Sequence, residues 1–228
     1  ICEIGLNHMG NIKYANEYVD KIIKSKADGI LFHIREKSFY ERKKTSRLKL
    51  PDSFYIRISK KLKNNNIKFG ITLADPDKID FCKQIDVDFY KVFGRDILEF
   101  DLIEKLRKTK KKIFISSSMS NLKEITKLVK FIKKSNQFTI IHTQLDNNID
   151  IVNLRAITML KKKIEMNIAY GNHCENLDVI YLALCFEPSD ILFYVKGDKK
   201  IKHIDEPHAY ELKNLTKIIQ NIKNLPRS

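Results

Sequence analysis

Two rhythms of apolar and polar positions alternate along this chain. Runs that are apolar at nearly every position predict β-strands: ICEIG at 1–5, GILFHI at 29–34, IKFGITL at 67–73 and DFYKVF at 88–93, then KIFISSS at 112–118, FTIIHTQ at 138–144, EMNIAYGNH at 165–173 and ILFYVKGD at 191–198. Between them the period lengthens. After the first strand, Ala15, Tyr18, Val19, Ile22 and Ile23 recur at helical spacing, and Pro51 with Asp52 opens a helix through SFYIRISKKLKNNN. Further helices are predicted near 76–85, 97–109, 121–135, 151–164, 176–186 and 210–224.

Strands apolar on both faces, with a helix in each gap, imply a parallel sheet covered by helices. About eight strand–helix units, a length near the roughly 250 residues typical of the fold, and no GxGxxG after the first strand favour an α/β protein of the (β/α)8 TIM-barrel type over an open doubly wound sheet. One domain over 1–228 is expected, since no interior linker interrupts the pattern. The basic stretch at 38–50 reads as a long βα loop, a candidate lid or partner contact.

Composition changes this picture little. At 43% hydrophobic residues the chain can bury a sizeable core, no apolar stretch approaches the ~18 residues of a membrane helix, and no signal peptide is recognisable. A cytoplasmic protein with no membrane partner is expected. The four cysteines, Cys2, Cys82, Cys174 and Cys185, show no CxxC spacing and read as reduced packing residues. A net charge of +15 would favour nucleic acid, anionic lipid or phosphorylated small molecules. The lysines of KKLKNNN, RKTKKK and IKKSN read instead as solvated helix faces; no nucleic-acid motif accompanies them and no nucleic-acid partner is expected.

In a barrel the chemistry gathers where strands end, and these strand ends are polar at almost every station. They carry Glu3, Asn7 and His8; His33 and Arg35; Thr72 and Asp75; Lys91, Arg95 and Asp96; Ser116 to Ser118; His142 and Gln144; Asn172 and His173; Lys196 and Asp198. Lys91, Ser116 and Thr72 are of the type that binds phosphate oxygens, while the histidines and acids suit proton transfer or a divalent metal. Each alone reads equally well as a turn or cap residue. Convergence on one rim is what would make them a site for an anionic small substrate.

The motifs themselves resemble a known family. ICEIGLNHMG is similar to the IAEIGxNHNG opening of sialic acid synthases, the N-acetylneuraminate synthase family; DFYKVFGRD resembles their YKIxSGD, IFISSSM their ILSTGM, IIHTQ their LLHCT, and AYGNH their GYSDH. The resemblance implies a synthase that condenses phosphoenolpyruvate with an N-acetylated amino sugar of the N-acetylmannosamine type, releasing phosphate, with a divalent metal (Mn2+ or Mg2+) polarising the aldehyde. It implies Glu3 and Asp96 as catalytic acids, Thr72, Lys91 and Ser116 as phosphoenolpyruvate contacts, His33 and Asp205 at the sugar, and His173 as a metal ligand. The partners it implies are these two substrates, with a homodimer as the possible assembly.

Departures accompany the likeness. The family's strand-two lysine falls on Leu31 and its glutamine on His33; the SGD serine falls on Gly94, with Arg95 after it; the second metal histidine falls on Val195, which puts the metal in question. Arg35 or Arg95 is expected to replace the lost cation, and His142, His203 or Asp198 to reach a metal from elsewhere. No antifreeze-like carboxy-terminal domain is recognisable. The leading expectation is a divergent synthase; the alternative is a non-catalytic barrel of the same family that binds a sugar phosphate or a protein partner.

Overall fold

The computed structural model describes residues 1–198 and 200–225. Eight parallel strands follow one another around a closed barrel: β1 (Cys2–Gly5), β2 (Gly29–Ile34), β3 (Lys68–Leu73), β4 (Phe89–Val92), β5 (Lys112–Ser116), β6 (Phe138–Thr143), β7 (Ile168–Asn172) and β8 (Ile191–Lys196). Each pairs with the next, and β1 closes the ring against β8 through Cys2↔Phe193 and Glu3↔Tyr194. A two-residue strand, β9 (Tyr210–Glu211), extends β8 outside the ring. The expected (β/α)8 barrel is the fold.

The helices between the strands are α1 (Ile12–Ser25), α2 (Lys37–Glu41), α3 (Asp52–Asn64), α4 (Ile79–Gln84), α5 (Phe100–Arg107), α6 (Leu122–Ile132), α7 (Arg155–Ile164), α8 (Asp178–Leu184) and α9 (Leu215–Asn224). Their apolar faces meet the outward side chains of the strands; Tyr18, Val19 and Ile22 of α1 are fully buried there. Local chemistry sets their starts. Asn11 caps α1 by accepting from the Tyr14 N–H, and Asn121 with Glu124 forms a reciprocal capping box on α6. The stretch 38–50, expected as a loop, holds α2 and a turn of 3-10 helix at Ser46–Leu48, with Leu48 and Leu50 buried against the barrel.

Because side chains alternate along a strand, every second residue points into the barrel. Leu31, Phe89, Phe114, Ile141, Ala169 and Leu192 form a dry inner cluster separate from the helix-facing core, with Ile1 packed against it. This layer is the barrel's floor. Gly70 makes room for it: a Cβ there would stand 2.1 Å from the Phe89 ring. Leu31, at the place of the expected lysine, is one of these floor residues.

Candidate active site at the barrel mouth

Two residues beyond the floor, the same inward face presents Glu3, His33, Thr72, Lys91, Ser116, Thr143, Gly171 and Tyr194 at the carboxyl ends of the strands. Five candidates from the sequence, Glu3, His33, Thr72, Lys91 and Ser116, therefore stand in one layer. Strand register brings them side by side, pairing His33 with Thr72 and Thr72 with Lys91.

Glu3 is the hub. Lys91 Nζ donates to Glu3 Oε1 at 2.6 Å and to Oε2 at 2.7 Å, while His33 Nε2 lies 2.7 Å from Oε1. All three are buried, Lys91 at 7% exposure and Glu3 at 1%. Burial alone would raise the Glu3 carboxyl, but the Lys91 ammonium and the His33 bond hold it well below the usual carboxylate range. An ionised Glu3 can only accept, so His33 donates through Nε2–H. Burial pushes the imidazole below its ordinary value, against the upward pull of Glu3. Its ring is wedged edge-on between Phe93 (centroids 5.0 Å) and Tyr194 (6.1 Å), and the Lys91 ammonium sits 5.7 Å from the Tyr194 ring centroid.

Asp205 approaches from the β8–β9 connection. Asn7 sets its position: the Asp205 N–H donates to Asn7 Oδ1 at 3.0 Å, and Asn7 Nδ2 donates to the Val195 carbonyl at 2.9 Å. Gly5, at φ +56°, leaves space that a side chain would fill, since a Cβ there would lie 2.9 Å from Asp205 Oδ2 and 3.4 Å from His33 Cε1. Asp205 Oδ2 is buried without a hydrogen-bond partner. Burial, and then the Glu3 charge, push its carboxyl up to about 7. Thr72 and Thr143 each present a buried, unpartnered Oγ1 to the same space.

His173 sits higher, its ring stacked on His208 (centroids 4.4 Å, planes 30° apart) and edge-on to Tyr194 at 5.3 Å. Burial, followed by repulsion from His208, lowers His173 to about 3. His208 Nε2 is buried without a hydrogen-bond partner. Among the described residues no group of three or more His, Cys, Asp or Glu is arranged to hold a metal ion. His173 and His208 stand side by side without a third described ligand, so the residues present supply only part of a divalent-metal site.

Other expected residues go elsewhere. Val195, matched to the second metal histidine, packs in the outer core, because the alternation of β8 gives the inward place to Tyr194. His142 faces outward and bonds the Asn153 carbonyl at 2.8 Å; His203 bonds Tyr14 Oη at 2.8 Å; Asp198 accepts from the Lys213 N–H. None of these three replaces a metal ligand. Asn172 is likewise an outer anchor, donating to the Cys174 carbonyl and Tyr210. Asp96 pairs with Arg95 at 3.3 Å and makes no hydrogen bond to Glu3, Lys91 or His33, so the geometry does not bring it into the hub. Ser116 donates to Ser118 Oγ at 3.0 Å. Arg35 and Arg95 flank Phe93 at 5.3 and 5.4 Å and share Glu36, which places both cations on the rim above His33.

Sequence reading missed Tyr194, Phe93 and His208. For Tyr194 the signal was present in the alternation of ILFYVK, counted from Leu192; for His208 it was a polar ring three residues after Asp205.

A model of the NeuB family matches residues 8–228. The chain belongs to the NeuB family. Its barrel overlays the N-acetylneuraminic acid (sialic acid) synthetase of Leptospira borgpetersenii, solved with citrate, at a TM-score of 0.88 with 26% identity, covering 97% of this chain and 81% of that one. Its relatives include an uncharacterised protein of Methanocaldococcus jannaschii, 26% identical over 98% of this chain and 69% of that one. Another is the N,N'-diacetyllegionaminic acid synthase of Campylobacter jejuni, 22% identical over all of this chain and 76% of that one. This member is divergent within the NeuB family.

Proposed function

We propose that this chain is a carbon–carbon bond-forming synthase that condenses phosphoenolpyruvate with an N-acetylated amino sugar to a nonulosonic acid and releases phosphate. The observation that carries the reading is the Glu3–Lys91–His33 cluster at the carboxyl ends of β1, β4 and β2, in a chain whose named relatives are sialic and legionaminic acid synthases. Lys91 supplies the buried cation for the carboxylate or phosphate of phosphoenolpyruvate, and the unpartnered Thr72 Oγ1 beside it is a ready hydroxyl donor. Glu3 holds Lys91 and His33 in place until the anion arrives; Asp205 and His33 face the amino sugar. The dry floor and aromatic walls keep the local dielectric low, which strengthens each of these contacts.

One observation favours a second reading. Both oxygens of Glu3 already occupy Lys91, and Leu31 replaces a cation, which suits a barrel that binds a sugar phosphate without turning it over. Incubation with phosphoenolpyruvate and a panel of N-acetylated hexosamines, with and without Mn2+, separates the two. Acceptor-dependent phosphate release is expected; saturable binding with no release under any condition would establish the second reading.

A further inference from the structure

His33 stands where the family motif carries glutamine, and its surroundings give it more than a contact role. Its Nε2–H is committed to Glu3 at 2.7 Å. Glu3 in turn is fixed by two bonds from Lys91, so neither the tautomer nor the plane of the ring is free. Phe93 and Tyr194 pack edge-on against the imidazole, and the bare Gly5 leaves its Cε1 side uncrowded. Nδ1 makes no hydrogen bond to a described residue and is not among the sealed, unpartnered atoms of the interior. Its lone pair lies on the ring edge opposite the Glu3 bond.

We propose that the Glu3–His33 pair is a proton-transfer dyad, in which Glu3 orients the ring and His33 Nδ1 exchanges the proton with the reactants. The inference rests on the synthase reading. In that reaction the C3 electron pair of phosphoenolpyruvate forms the new bond to the aldehyde carbon, and the aldehyde oxygen gains a proton to become a hydroxyl. Water adds to C2 and gives up one proton to Nδ1, and the imidazolium so formed passes that proton to the oxygen of the former aldehyde, which leaves the ring neutral again. The resulting hemiketal phosphate collapses: the C2–O bond breaks, its electron pair leaves with phosphate, and the hydroxyl proton goes to the departing group. No oxidant or further co-reactant is required. An acceptor-only carboxylate behind the imidazole stabilises the cation formed in between. A glutamine could hold Glu3 but could not carry the proton.

The groups facing His33 are Glu3 from β1, Lys91 from β4, Tyr194 from β8, Asp205 from the β8–β9 connection, and Arg35 and His8 from flanking turns, with His173 above. Burial lowers the imidazole, so it is neutral and able to accept near pH 7. The test compares wild type with His33→Gln in phosphate release across pH. Expected are a fall in kcat of roughly 10² to 10⁴-fold, a KM for phosphoenolpyruvate within a few-fold of wild type, and loss of the imidazole ionisation from the acid limb of kcat/KM. An active wild type with an equally active His33→Gln and an unchanged pH profile overturns the dyad while leaving the synthase reading intact. A wild type silent with every acceptor sinks the synthase reading instead. The dyad is then judged by 15N NMR of histidine-labelled protein. The resonance absent from His33→Gln is expected as a neutral Nε2–H tautomer at pH 7, and an Nδ1–H tautomer or a cation there rejects it.

Discussion

Lys91 and Glu3 hold each other in a place where neither is tolerable alone. Removing one partner of a buried pair leaves an uncompensated charge, whereas removing both leaves only a packing change. Lys91→Met is therefore expected to destabilise by roughly 3 to 5 kcal/mol, and Glu3→Gln added to it to restore a large part of that loss; urea melts of the four-membered cycle measure both. Asp205 behaves oppositely to Glu3. Its folded-state carboxyl is raised to about 7 by burial and Glu3, above the ordinary value of 3.8. The folded state thus binds the proton more tightly, so the stability linked to it is full below about pH 4 and is lost as pH rises through 7. Asp205→Asn is expected to melt higher than wild type at pH 8 with the gap closing by pH 5, read by paired thermal scans. A constant gap at both pH values would show that Asp205 ionises as an ordinary surface acid.

At the scale of the elements, the barrel was legible because each strand is apolar on both faces and each gap carries a helical stripe. The mouth was legible wherever inward parity and polar chemistry coincide, as at Glu3, His33, Thr72, Lys91 and Ser116. At β8 the motif points to Val195, whereas the alternation from Leu192 selects Tyr194. Asp205 and His208 lie on a connection without periodicity, and only the tie from Asn7 shows why that segment reaches the mouth. His142 looked chemical because it ends a strand, yet the Asn153 carbonyl holds it outside. β3 and β4 offer a test of the floor. Gly70→Ala would drive a methyl into the Phe89 ring, and a cost of about 1 to 3 kcal/mol is expected, partly relieved by adding Phe89→Leu. Equal stability of Gly70→Ala and wild type in urea would mean that the ring moves freely.

Across the whole molecule the net charge is +15, and part of the lysine excess is paired. Lys63 and Lys111 share Asp86, Lys78 meets Asp52, Lys112 at the start of β5 meets Asp190 and Lys223 meets Asp28. Such pairs add little stability singly, and each ties up a lysine that would otherwise be open to a phosphate. Titration into labelled random duplex at physiological salt is expected to give a Kd no tighter than the ~10⁻⁶ to 10⁻⁴ M of nonspecific association. A nanomolar value would point to a basic surface built for nucleic acid. The apolar floor has a last consequence for traffic. With Leu31, Phe89 and Phe114 plugging the far end, whatever the mouth admits must leave by the door through which it came.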